Sequence, residues 1–238
     1  MKNIIVASTS TLFGGDYLEY LLEDLEELYK DVNDILFIPY ARPDGISHDL
    51  YTEKVGVAFK RIGKSVKGIH EFKHPKEAIK NCHAIFVGGG NTFVLVNELQ
   101  TNNLIEPIKT AISTGVPYLG TSAGSNICGI SMQTTNDMPI VYPTSFDTLG
   151  LIPFNINPHY LDIDPKNKHM GESRETRIKE FHHFNNQTVI GLREGSFLRV
   201  NGDIIMLKGP HSARIFRPDK TPYELKTNHI LKVSNERF

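Results

Sequence analysis

Apolar and polar residues alternate in blocks along the first half of the chain. Ile4 to Ala7 is a short continuous apolar run, the length of one buried strand. Tyr17 to Lys30 follows, with Leu18, Leu21, Leu22, Leu25 and Leu28 at helical spacing and acidic residues between them, which predicts an amphipathic helix. Ile35 to Tyr40 is a second apolar run. Leu50 to Ile62 reads as a helix with Val55, Ala58, Phe59 and Ile62 on one face, and Ser65 to Ile69 as a short strand. Pro75 to Asn81 fits a short helix with its proline in the first turn. Ala84 to Val87 is a third buried strand, ending at Gly88-Gly89-Gly90. Thr92 to Gln100 and Ile105 to Ser113 are helical, the second stopped by Gly115. Val116 to Leu119 then leads to Ser122.

Alternation of this kind predicts an α/β fold with a mainly parallel sheet and helices on both faces. Sites in such sheets lie beyond the carboxyl ends of the strands. Gly88-Gly89-Gly90 and Ser122 both fall at such ends. The second half changes character: Pro139, Pro143, Pro153 and Pro158 punctuate it before a helix at Glu172 to Phe184. Thr188 to Leu192 is a strand, Phe197 to Leu207 a hairpin around Asn201-Gly202, and His229 to Val233 a last strand. With no repeat and no linker, residues 1–238 are expected to form one domain.

Composition narrows the function classes. The 238 residues carry a net charge of -1, so no global basic field invites nucleic acid or an anionic membrane. Two cysteines, Cys82 and Cys128, fit free thiols in a reducing compartment. The N-terminal apolar run is too short for a signal-peptide core, and no stretch is long and apolar enough for a membrane span. A cytoplasmic protein is expected, without cofactor or metal. His182-His183 point to different helix faces and no HExxH or Cys/His cluster occurs. His48, His70, His74 and His169 are expected at the surface.

Gly120-Thr121-Ser122-Ala123-Gly124 matches G-x-S-x-G, in which a serine sits on a tight strand-to-helix corner among small residues. Taken alone, the match also fits an ordinary Gly/Ser loop. A nucleophilic serine needs a base and an orienting group. His159, after the apolar run in Asn155 to Tyr160, and Glu194, in Ile190 to Ser196, follow later strands. Singly they fit a loop histidine and a surface turn. Together, at the same sheet edge as the serine, they would form a relay. The order Ser122, His159, Glu194 disfavours an α/β-hydrolase, which runs serine, acid, histidine. The glycines Gly88, Gly89 and Gly90 could cradle phosphate, but the pattern is neither G-x-G-x-x-G nor a P-loop. An oxyanion hole is the more economical role, shared with the Ala123 N–H.

The motifs FVGGGNTF, GTSAGSN, TTNDMPIV, INPHY, GESRETRI and GLREGS, in this order, resemble those of the peptidase E family, serine peptidases that act on α-aspartyl dipeptides. The likeness runs from Ser8-Thr9-Ser10-Thr11-Leu12 to Arg237-Phe238. It implies a flavodoxin-like sandwich similar to the class I glutamine amidotransferases. It also implies Ser122 as nucleophile, His159 as base, Glu194 as third triad member, and N-terminal aspartyl dipeptides as substrates. Arg174, in preference to Arg177, is the expected grip on the aspartyl carboxylate, and Asp137 a candidate for the substrate ammonium. A monomer or homodimer is expected. The rivals are a cyanophycinase-like β-aspartyl peptidase or other serine amidase, and a catalytically silent relative that binds a small ligand.

Overall fold

The computed structural model describes residues 1–163, 166, 168 and 170–232; His169 and the closing Arg237-Phe238 lie outside the described residues. In chain order the elements are β1 (Asn3–Ala7), α1 (Leu22–Leu28), β2 (Asp34–Ile38), α2 (His48–Lys60), β3 (Ser65–Gly68), α3 (Pro75–Asn81), β4 (Ile85–Val87), α4 (Thr92–Thr101), α5 (Ile105–Ser113), β5 (Tyr118–Thr121), α6 (Ala123–Asn126) and β6 (Asn155–Pro158). Then come α7 (Arg174–Phe184), β7 (Val189–Leu192), β8 (Phe197–Asn201), β9 (Ile204–Lys208), β10 (Ala213–Phe216), β11 (Tyr223–Leu225) and β12 (Ile230–Lys232).

The main sheet has the order β12-β9-β8-β1-β5-β4-β2-β3. Strands β1, β5, β4, β2 and β3 are parallel, and β8, β9 and β12 extend the sheet in antiparallel fashion. The continuous apolar runs have the cause inferred from sequence: both faces are covered. In β1, Ile4 and Val6 belong to one core cluster and Ile5 and Ala7 to the other, the two-residue period of a strand splitting one run between two layers. Helices α1 and α2 cover the second face; α3, α4 and α5 cover the first.

The helix expected over Tyr17 to Lys30 is shorter than its leucine pattern. Leu18 has φ 59, a short 3-10 turn spans Glu19–Leu21, and α1 begins at Leu22. The Leu18 N–H donates to Ser10 O at 2.7 Å, so the first turn is used to close the loop after β1. Leu18, Leu21, Leu25 and Leu28 are all buried regardless, because burial needs the face and not an unbroken helix.

A second sheet, β11-β10-β7-β6, was not foreseen as a separate layer. Its strands β10 and β11 fall where the sequence shows no clean alternation. Ile156, Ile190, Leu192 and Ile215 of this sheet share a core cluster with Leu198, Val200, Ile205 and Leu207 of the main sheet. It therefore packs on the antiparallel wing, where α/β alternation supplies no helix.

Register aligns the strand ends. Val6 and Val87 both face Gly120, and Ala7 faces Thr121, so Ser8, Gly88 and Ser122 emerge side by side. In the second sheet Pro158 faces Leu192, which brings out His159 and Arg193-Glu194 together. Ser8 joins the two sheets. Its buried hydroxyl accepts the His159 N–H at 2.9 Å and donates to Leu192 O at 2.6 Å. Ser8→Ala leaves the His159 N–H without an acceptor, and is expected to lower the urea-unfolding free energy by ~1–3 kcal/mol. An unchanged unfolding midpoint would mean that the two sheets are held together without this hydroxyl.

Candidate active site

The corner at Ser122 leaves room for backbone only. A Cβ on Gly120 would lie 2.3 Å from Gly124 O, and one on Gly124 would lie 2.2 Å from Val87 O. Side chains are excluded on both flanks, which accounts for G-x-S-x-G at this position. Ser122 itself takes φ 53 and ψ -109, a conformation that L-residues rarely adopt. Its N–H donates to Ala7 O at 3.1 Å, and its carbonyl accepts from Ser125 N and Asn126 N at 3.0 and 2.9 Å. The Ser125 hydroxyl lies 2.5 Å from Ala7 O and 2.8 Å from Gly120 O. Both backbone groups of Ser122 are thus tied, the N–H to β1 and the carbonyl to α6.

The three candidate relay residues meet. Ser122 Oγ lies 2.8 Å from His159 Nε2, and Glu194 Oε1 lies 2.6 Å from His159 Nδ1. A carboxylate accepts only, so Nδ1 carries the proton and Nε2 is left with a lone pair toward the serine hydroxyl. The expectation that all three share one sheet edge is corrected: Ser122 leaves the main sheet, whereas His159 and Glu194 leave the second sheet. Asn136 donates to Pro158 O at 2.6 Å and accepts from Asn157 Nδ2 at 2.8 Å, which props the end of β6 before His159.

Sequence reasoning missed the arginine that precedes Glu194 in the chain. Arg193 hydrogen-bonds both oxygens of Asp162 at 2.8 Å, Ser212 O at 2.6 Å and Glu224 at 2.9 Å. Its guanidinium also lies 5.5 Å from the Tyr160 ring centroid. These hydrogen bonds raise the Arg193 pKa above its ordinary value and hold the Glu224 carboxyl down at about 2. Arg193 lies inside the GLREGS motif, between the strand and Glu194, and that position was its only signal in the sequence.

The glycine loop divides its donors. One N–H from Gly88 to Gly90 is expected as an oxyanion donor; Gly88 N–H is committed to Ile38 O at 3.2 Å and Gly89 N–H to the Tyr51 hydroxyl at 3.1 Å, so neither is free. The N–H groups of Gly90 and Ala123 make no hydrogen bond among the described residues. Gly90 has φ 147, and a Cβ there would lie 2.2 Å from Ala41 O. Tyr51, also missed, is an almost fully buried residue of α2, on the same face as Val55 and Phe59.

Asp137 has a different partner from the one foreseen. Its Oδ2 accepts from Thr92 N at 2.7 Å, Thr92 Oγ1 at 2.6 Å and Thr135 Oγ1 at 3.0 Å, which ties it to the start of α4. Its Oδ1 makes no hydrogen bond among the described residues. The two arginines of α7 separate clearly. Arg177 is exposed and pairs with Glu172 at 3.9 Å. Arg174 is half-buried and has no ion pair among the described residues. Burial, then the neighbouring Arg177, pull its pKa below the usual arginine range, and Asp137 opposes them.

His70 and His48 are not simple surface residues. Both are half-buried, their rings 5.3 Å apart, with His70 Nε2 2.8 Å from Asp49 Oδ1. His182 Nε2 contacts Gln187 O at 2.9 Å. Among the described residues no group of His, Cys, Asp or Glu is arranged to hold a metal ion.

Residues 4–208 match the model of Peptidase family S51. Peptidase E of Streptomyces coelicolor is 47% identical over 223 residues, 94% of this chain and 90% of that protein. A probable alpha-aspartyl dipeptidase of Drosophila melanogaster is 44% identical over 227 residues, 94% of this chain and 93% of that protein. A solved peptidase from an acI-B1 actinobacterium superposes with a TM-score of 0.74 at 18% identity, covering 98% of this chain and 97% of that one. A putative peptidase E from Listeria monocytogenes gives 0.67 at 23% identity, covering 89% and 100%. These two structures share the fold.

A methyl group on Gly89 would lie 2.9 Å from Ser122 Cβ. Gly89→Ala is therefore expected to slow labelling of Ser122 by a fluorophosphonate about 10²-fold, the scale of a misplaced reacting group, with little change in melting temperature. Labelling at the wild-type rate would show that the loop yields without moving the serine.

Proposed function

Since the chain belongs to peptidase family S51, we propose that it is a serine dipeptidase cleaving peptides with an N-terminal aspartyl residue, through Ser122, His159 and Glu194. The observation that supports this most directly is the unbroken hydrogen-bonded chain from Glu194 through His159 to Ser122. Two unused N–H donors, those of Gly90 and Ala123, stand on the flanking turns.

Ser122 Oγ attacks the peptide carbonyl while His159 Nε2 takes its proton. Glu194 holds the imidazole in the right tautomer and stabilises its charged form. The Gly90 and Ala123 N–H groups receive the oxyanion, whose stabilisation is commonly the largest single contribution in acyl transfer. His159 returns the proton to the leaving amine, and water then completes the cycle at the acyl-enzyme.

Specificity follows from charge. An aspartyl side chain has a reference pKa of about 3.9 and is ionised at neutral pH. Arg174, half-buried and without an ion pair among the described residues, can grip it with two parallel hydrogen bonds. Asp137 keeps Oδ1 for the adjacent α-ammonium. An N-terminal aspartyl residue carries those two opposite charges close together, as Arg174 and Asp137 do. Among the described residues no helix is long and apolar enough to cross a membrane, and Cys82 and Cys128 are both free. Free thiols and a net charge of -1 fit a cytoplasmic enzyme acting on small peptides, as monomer or homodimer, and not on nucleic acid.

A panel of Asp-X, Asn-X, Glu-X and β-Asp-X dipeptides tests the assignment. Asp-X is expected to be cleaved fastest, with Asn-X lower by roughly 10–150-fold for the loss of a charged hydrogen bond. Preference for β-Asp-X would favour the cyanophycinase-like alternative, and no cleavage of any peptide a silent ligand-binding relative. Ser122→Ala should lose at least ~10⁴ in kcat without unfolding.

Arg174→Met should erase most of the preference for Asp-X over Asn-X while leaving Ser122 open to a fluorophosphonate. A preference that survives there but disappears in Arg177→Met would move the carboxylate site to Arg177.

A further inference from the structure

Arg174 and Asp137 stand on the side of the main sheet covered by α4. On the opposite side, covered by α2, there is a second cleft. It has a volume of about 440 Å³ and lies between the loop after β1, with Ser10 and Thr11, and the loop after β2, with Arg42. Tyr17 and Tyr51 also line it. Tyr51 links it to the reaction centre, because its hydroxyl holds Gly89 and Gly89 packs against Ser122.

The cleft is cationic. The Arg42 guanidinium lies 5.5 Å from the Tyr51 ring centroid and Lys54 Nζ lies 5.1 Å from that of Tyr17. Both are exposed, and neither makes an ion pair among the described residues. Arg61, Arg193 and Arg214, by contrast, are all paired with carboxylates. Asp44, the one carboxylate among the described residues that line the cleft, turns back on its own loop and accepts the Gly45 N–H at 2.7 Å. Aromatic rings beneath the two cations orient them and leave their N–H groups free.

A dipeptide offers a matching group. Besides the aspartyl carboxylate it has a C-terminal α-carboxylate on the residue that leaves as the free amine. We propose that this cleft receives the leaving residue and that Arg42, assisted by Lys54, binds its C-terminal carboxylate. This inference rests on the dipeptidase function proposed above. Carboxylates at both ends of the substrate would then meet cations on opposite sides of the sheet. A peptide extended or amidated at its C-terminus loses the second contact, so cleavage is confined mainly to dipeptides.

The test compares kcat/KM for Asp-Leu and Asp-Leu-amide in wild type, Arg42→Met and Arg42→Lys. Wild type should favour the free acid by about 10–100-fold, the range for a charge-assisted hydrogen bond, and mostly through KM. Arg42→Met should bring the acid-to-amide ratio to within about 3-fold of one, and Arg42→Lys should restore part of it, since lysine keeps the charge but not the fork. Fluorophosphonate labelling of Ser122 in each variant checks that the relay is intact. If wild type cleaves acid and amide equally, or if Arg42→Met keeps the wild-type ratio, the subsite is overturned while the dipeptidase function stands. If wild type cleaves no Asp-X peptide at all, both fall.

Discussion

Everything at the candidate catalytic edge depends on a steric constraint: the turn through Ser122 has space for backbone atoms alone. Gly120 approaches the Gly124 carbonyl, and Gly124 approaches the Val87 carbonyl, too closely for any Cβ. That contact presses α6 onto the ends of β4 and β5. Ser122 is left in a backbone conformation that would relax if its neighbours did not hold it. The hydrogen bonds to Ala7 and Gly120 supply the restraint, and they come from the rigid centre of the parallel sheet. A strained residue on a rigid support is a fixed reference point to which the other groups can be aligned.

The alignment is made by two buried hydroxyls. Ser8 ties the second sheet to the end of β1, and with it the backbone of His159. Tyr51 ties Gly89 to α2, and so sets the glycine loop against Ser122. His159 and Glu194 are themselves partly exposed, with side chains 36% and 47% accessible. Their geometry is therefore not enforced by burial. The backbone bond from Ser8 holds the His159 end, and Arg193, next to Glu194 in the chain, is itself anchored by hydrogen bonds to three separate segments. Exposure leaves the hydrogen-bonded chain accessible from solution, and the surrounding anchors keep it in register.

The charge distribution fits a substrate charged at both ends. Arg174 with Asp137 stands on the α4 side of the sheet, and Arg42 with Lys54 on the α2 side. None of these cations has an ion-pair partner among the described residues, whereas Arg61, Arg177, Arg193 and Arg214 do. An unpaired guanidinium near a reaction centre retains its capacity to bind a carboxylate that arrives from solution.

Much of the fold was legible locally. Strand and helix positions follow from periods of 2 and 3.6, which depend only on neighbouring residues. The glycines at strand ends and the small residues around Ser122 likewise report local geometry. The Tyr17 to Lys30 segment shows the limit: its leucine spacing identified the buried face, but a loop closed by Ser10 decided where the helix could begin. Motif order brought Ser122, His159, Glu194 and Arg174 into view. The separate second sheet, the commitment of the Gly88 and Gly89 donors, the tie of Asp137 to α4, and the parts of Ser8, Tyr51 and Arg193 were decided by the tertiary structure. Each of these depends on a hydrogen bond or strand pairing between segments far apart in the chain, such as Gly89 with Tyr51 or Thr92 with Asp137. A donor's availability depends on which acceptor the fold brings to it, and no local spacing encodes that.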